Sequence, residues 1–73
     1  METITAEHFI YRRKLLRLSQ SESARLSRVP LHRLHGWEHR YVQLDSRELA
    51  LLDLMLQAEA QRILNVMVVP ANF

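Results

Sequence analysis

Apolar residues recur along this chain at spacings of three and four, the period of an amphipathic helix, in separate stretches divided by caps and a proline. Phe9, Arg13 and Leu16 share one face by the i, i+4, i+7 rule. They predict a first helix that opens on Thr5 as N-cap, carries Glu7 in its first turn and runs to about Leu16 or Leu18. Ser19 followed by Glu22 has the spacing of a capping box, so a second, short helix is expected from Gln20 to Ser27, with Ala24 as its small buried position. Arg28 and Val29 make a tight connection. Pro30 ends the second helix and suits the opening of a third, over about Leu31 to Arg40. Leu34 and Trp37, three apart, turn that helix toward a core, and Trp37 reads as a core anchor rather than a base-stacking platform.

The second half is more continuously apolar. Tyr41 to Leu44 reads as a loop or short extended piece, and Asp45 with Glu48 forms a second capping box (Ser46 is the other candidate cap). The helix it opens is the longest, to about Leu64. Its apolar positions, Leu49, Leu51, Leu52, Leu54, Met55, Leu56, Ala58, Ala60 and Ile63, cover more than one face. A helix apolar most of the way round is buried on two sides, and in so small a chain a second subunit is the natural cover. Leu49, Leu52, Met55, Leu56 and Ile63 are therefore the expected dimer contacts. Val66 and Val68 join them from a β-prone tail, Val66 to Val69, that could pair with its counterpart, pack on the last helix or fray. The expected fold is all-α, a bundle of four to five helices in one domain over residues 1–73, with a short C-terminal strand or tail at the dimer interface as a variant.

Composition narrows the class. Seventy-three residues bury only a modest core, and without cysteine there is neither disulfide nor thiolate metal site. The setting expected is a reducing cytoplasm, with no membrane span and no secretory signal in the acidic, polar N-terminus. Charge is divided unevenly. Residues 1–43 hold eight of the ten Lys and Arg and all four histidines, whereas residues 44–73 are net acidic. A basic front half and an acidic, Leu-rich back half suggest that one meets a polyanion and the other meets protein, although ordinary solvated surface would look similar. The basic residues Arg12, Arg13, Lys14 and Arg17 also suit the C-terminal end of a helix dipole.

The third helix carries the candidate chemistry: His32, Arg33, His35 and Gly36 beside an apolar anchor suit a helix set in a groove of DNA. Gly36 costs about 1 kcal/mol relative to alanine inside a helix, and close backbone approach is one reason to keep it. Arg33 could read guanine with both arms, or it could contact phosphate or be solvated. Arg28 and Arg40 flank the helix as phosphate candidates. Leu31 could pack on a thymine methyl or close the helix start. If His32 and His35 meet DNA, binding should strengthen as pH falls through the histidine range. His32, His35 and His39 can share a face, but a structural zinc site takes four closed ligands, so no metal or other cofactor is expected. Nothing indicates catalysis: there is no cysteine nucleophile, no Gly-rich phosphate loop and no ordered triad.

At Leu18-Ser19-Gln20, Ala24, Val29-Pro30, Leu34 and Trp37-Glu38 the chain resembles the XRE family of helix-turn-helix regulators, the phage Cro and repressor type. The resemblance covers about Phe9 to Arg40. It implies a lambda-repressor-like core over about residues 5–40 and a dimerisation helix and tail over about 45–73. It implies that Gln20 contacts DNA, that Leu31, His32 and Gly36 read base edges with Arg33 and His35 flanking, and that Arg13 pairs with Glu38. The chain departs from the pattern where Ser23 and Ser27 occupy positions that are usually apolar and where Arg28 replaces a turn glycine. Either Leu26 rotates inward or the domain leans more on its dimer, and Arg28 marks either an altered turn or a phosphate contact. The functional expectation is a homodimeric repressor of its own operon on an inverted-repeat DNA operator. The rival is a module of the same fold that binds a protein partner, such as a toxin or polymerase subunit, through Leu31 and the last helix.

Overall fold

The computed structural model describes residues 3–67. In chain order they form α1 (Ala6–Leu15), α2 (Gln20–Ser27), α3 (Leu31–Glu38) and α4 (Ser46–Met67). The fold is all-helical, with no strand among the described residues. The helix starts follow from local chemistry. Thr5 Oγ1 accepts the His8 N–H. Ser19 and Glu22 close a full capping box, each side chain accepting the other's backbone N–H at 3.0 Å. Asp45 and Glu48 do the same for α4, at 2.7 and 3.0 Å, so Asp45 rather than Ser46 is the cap. These bonds satisfy N–H groups that a helix start leaves without partners.

The helix ends are less ordinary. Each of α1, α2 and α3 stops where an arginine takes the left-handed backbone conformation: Arg17 (φ 59°), Arg28 (φ 65°) and Arg40 (φ 66°). After α1 the Arg17 and Leu18 N–H groups reach back to Lys14 and Arg13, and after α3 those of Arg40 and Tyr41 reach back to Trp37 and Gly36. Both are Schellman closures; α2 ends on the simpler bond from Arg28 N–H to the Ala24 carbonyl. Glycine is the usual residue at such positions. A side chain there costs roughly 1–2 kcal/mol, which a cation at a helix C-terminus offsets by only about 0.3–1 kcal/mol. The turn after α2 thus takes the left-handed conformation with arginine in place of glycine.

The single glycine is inside α3 instead. Gly36 is buried, and a Cβ there would come within 3.0 Å of Val42 Cγ2. The chain leaving α3 doubles back so that Tyr41 N–H donates to the Gly36 carbonyl at 2.7 Å and Val42 lies across the helix. The close approach is real, but the approaching group is this chain's own valine. The expectation that Gly36 faces a DNA groove is corrected accordingly.

One core joins all four helices: Phe9, Leu18, Ala24, Val29, Leu34, Trp37, Leu44, Leu52, Met55 and Leu56. The Phe9 and Trp37 rings meet at 5.4 Å with their planes tilted by 55°. Leu52, Met55 and Leu56, expected at a dimer contact, are this core's α4 layer, and Leu49 packs half-buried against it. In a chain this short α1 to α3 need an apolar floor, and the first half of α4 supplies it. From Gln57 onward α4 has no buried residue: Ile63 is half-buried, and Leu64, Val66 and Met67 are exposed. Val66 is helical rather than extended. Val68 and Val69, the other end of the expected strand or tail, lie outside the described residues.

Ser23 and Ser27 both point inward, and Leu26 is turned toward solvent, so α2 carries two hydroxyls on its core side and Leu26 does not rotate inward. Ser27 Oγ accepts the Val29 N–H at 3.2 Å and lies 3.4 Å from the Ala24 carbonyl, which fastens the turn into α3. Ser23 Oγ is fully buried with no hydrogen-bond partner among the described residues. Among those residues, no helix is long and apolar enough to cross a membrane.

Candidate nucleic-acid interface

On α3, Leu34, Gly36 and Trp37 are buried, while Leu31, His32 and His35 are exposed. At 100° per residue, Leu31, His32, His35 and the following His39 share one stripe about 100° wide. Its far end is an aromatic ladder: the His35 and His39 rings lie 4.3 Å apart, and Tyr41 stacks beyond His39 at 6.1 Å. His39 lies on the face that its spacing from His32 and His35 placed it on, and Tyr41 extends that face beyond what sequence reasoning reached, because its position depends on the Schellman turn.

Behind the stripe lies a connected set of polar groups. Arg13 donates through Nε and Nη2 to both oxygens of Glu38, each at 2.9 Å, and through Nη1 to the Leu18 carbonyl at 2.9 Å. The Arg13 and Glu38 side chains are 10% and 4% exposed. Their charges are thus paired and hydrogen-bonded, the arrangement that burial demands. Glu38 Oε1 also accepts from Gln20 Nε2 at 2.9 Å, and Gln20 Oε1 lies 3.1 Å from His35 Nδ1. The carboxylate accepts only, so it fixes which end of the Gln20 amide is nitrogen; the amide oxygen accepts only, so it fixes the proton on His35 Nδ1. His35 Nε2 is left free of that chain of bonds.

The cations divide into two groups. Arg33, expected to read a base or a phosphate, forks onto Glu48 through Nε and Nη2 at 2.5 and 2.6 Å, with a longer contact from Nη2 to the Gln43 carbonyl. That contact holds the Glu48 carboxyl at about 2, against an ordinary 4.5, because ionised Glu48 accepts two bonds from a guanidinium. The Arg33 guanidinium is raised above its ordinary value by the same bonds. Arg40 forms an ion pair with Glu7 at the start of α1, and Arg12 joins Asp53 of α4 at 3.0 Å. Arg33, expected in the groove, is thus paired within the protein to Glu48 of α4, and Arg40, expected at phosphate, pairs with Glu7 at the surface, where both side chains are more than half exposed. Gln20, expected to contact DNA itself, has both amide ends engaged inside the protein. Lys14, Arg17, Arg25, Arg28 and Arg47 are exposed and form no ion pair among the described residues. Lys14 lies in the last turn of α1, Arg25 on α2, Arg17 and Arg28 in the turns that flank α2, and Arg47 on α4; none lies on α3.

Among the described residues, no group of three His, Cys, Asp or Glu is placed to hold a metal ion. Compared with protein-family models, curated proteins and solved structures, the chain shows no match.

Proposed function

We propose that this protein is a helix-turn-helix regulator that binds duplex DNA sequence-specifically through the exposed stripe of α3. The observation that carries this reading is the chain from Arg13 through Glu38 and Gln20 to His35. A buried ion pair and an amide are used to orient an exposed imidazole. Beyond its contact with the His39 ring, the fold gains little from the orientation of this solvent-facing imidazole, whereas recognition gains from a donor and acceptor pattern fixed before contact. Leu31, His32 and His35 then offer an apolar contact for a thymine methyl and ring nitrogens for base edges or phosphates.

The working form in this reading is a cytoplasmic homodimer that represses its own operon by occluding polymerase, with no catalytic step. Two-fold symmetry calls for an inverted-repeat operator whose half-site centres lie about one helical turn, roughly 34 Å, apart. Because Leu52, Met55 and Leu56 are occupied in the monomer core, the dimer contact moves to Leu54 and the projecting end of α4 with Ile63, Leu64, Val66 and Met67.

A second reading, a protein-binding module, is favoured by Leu26 and Leu31 standing exposed beside the turn and by the internal pairing of Arg33 and Arg40. Salt dependence separates the two. Duplex affinity that falls steeply between about 50 and 200 mM salt supports the DNA reading. Absence of binding to duplex DNA or heparin at low salt supports the protein-binding one.

A further inference from the structure

The chain places arginine at the three backbone positions that ask for glycine and its only glycine where a helix tolerates it least. Val42 accounts for the glycine. The Glu7 ion pair gives Arg40 a structural use. Arg17 and Arg28 have neither explanation: both are exposed, both are left-handed, and neither forms an ion pair among the described residues.

Their positions are related. Arg17 lies in the turn entering α2, next to Leu18, whose carbonyl is held by Arg13 of the Glu38–Gln20–His35 chain. Arg28 lies in the turn leaving α2, beside Leu31 at the start of the exposed stripe; both line one shallow depression. Helix C-termini present carbonyl oxygens and partial negative charge, which would repel a polyanion at both turns. An arginine at the capping position puts a full positive charge there. The left-handed backbone and the return hydrogen bonds fix the Cα from which each side chain extends.

We propose that Arg17 and Arg28 are a pair of phosphate contacts, one at each end of α2, that hold the nucleic-acid backbone without regard to sequence while α3 addresses the bases. This rests on the DNA-binding reading above and adds Arg17 to the interface. It explains why strained arginines stand where glycine would fold more easily: the side chain is used in binding, not in the fold.

The test uses the full chain and a duplex of random sequence, since phosphate contacts need no operator. Binding constants are measured across salt for wild type, for Arg17→Gly with Arg28→Gly, and for Arg17→Gln with Arg28→Gln. Each phosphate contact contributes about 0.9 to the slope of log K against log salt. Both double variants should therefore bind more weakly with a slope shallower by about 2, while the glycine variant melts no lower than wild type. An Arg17→Lys, Arg28→Lys variant should keep the slope. A glutamine variant whose slope and affinity equal those of wild type overturns the phosphate assignment but leaves the DNA-binding reading standing. Wild type that fails to bind the duplex at low salt removes both together.

Discussion

Arg13 on α1 holds both carboxylate oxygens of Glu38 on α3, with each bond at 2.9 Å and both side chains at most a tenth exposed. The pair fixes the angle at which α3 crosses α1. Removing one partner strands the other charge in a dry site, which typically costs about 3–5 kcal/mol. Glu38→Gln or Arg13→Met is thus expected to unfold at far lower urea concentration than wild type. Arg13→Lys keeps the charge but lacks the fork, and should fall between. A double variant, Arg13→Met with Glu38→Leu, should recover much of the loss, as a double-mutant cycle by urea titration would show.

Ser23 and Ser27 are one turn apart on the same side of α2 and should respond to alanine with opposite signs. Ser23→Ala removes a fully buried hydroxyl that has no partner among the described residues. It should stabilise by about 1 kcal/mol, which raises Tm by about 4–8 °C in a domain of this size. Ser27→Ala leaves the Val29 N–H without its acceptor and should destabilise by about 1–2 kcal/mol. Thermal melts of the two single variants check the pair.

This contrast marks what the sequence discloses. The two serines look alike along the chain, and which hydroxyl finds a partner depends on the turn after α2. Features joined by short spacing were legible: the Ser19–Glu22 and Asp45–Glu48 boxes, the span of α2, and Leu34 with Trp37 as anchors. The Arg13–Glu38 pair was legible from the family resemblance. Arg33–Glu48 and Gly36–Val42 were not, because the path of residues 39–45 brings those partners together and arginine has no local bias toward the left-handed turn that sets it. Periodicity showed that Leu52, Met55 and Leu56 must be covered, and could not say whether by another subunit or by α1 to α3.

The Arg33–Glu48 contact has an acid signature. Glu48 titrates at about 2 in the folded protein, below its ordinary 4.5. Because the folded value is the depressed one, the stabilisation is fully present above about pH 4.5 and is lost as pH falls toward 2. Arg33 is 37% exposed, so solvent screening reduces the contribution to about 1–2 kcal/mol. Urea unfolding between pH 2 and 6 should show wild type losing that much more stability on acidification than Glu48→Gln.

The projecting end of α4 carries the proposed subunit contact. Val66→Asp with Met67→Asp should convert the dimer to a monomer in sedimentation equilibrium and leave the monomer folded, because both positions are exposed. Leu56→Asp should instead unfold the chain, because Leu56 is in the core. A wild-type protein that sediments as a monomer at all concentrations would remove this contact from the account.

The most direct measurement is a footprint on the DNA upstream of the protein's own coding region, with wild type beside a His32→Ala, His35→Ala double variant. Both histidines are exposed, so the variant should melt within a few degrees of wild type. The account predicts two protected segments with centres about one helical turn apart, lost in the variant at equal concentration. Protection that persists unchanged in the folded variant would contradict the assignment of the α3 stripe as the reading face.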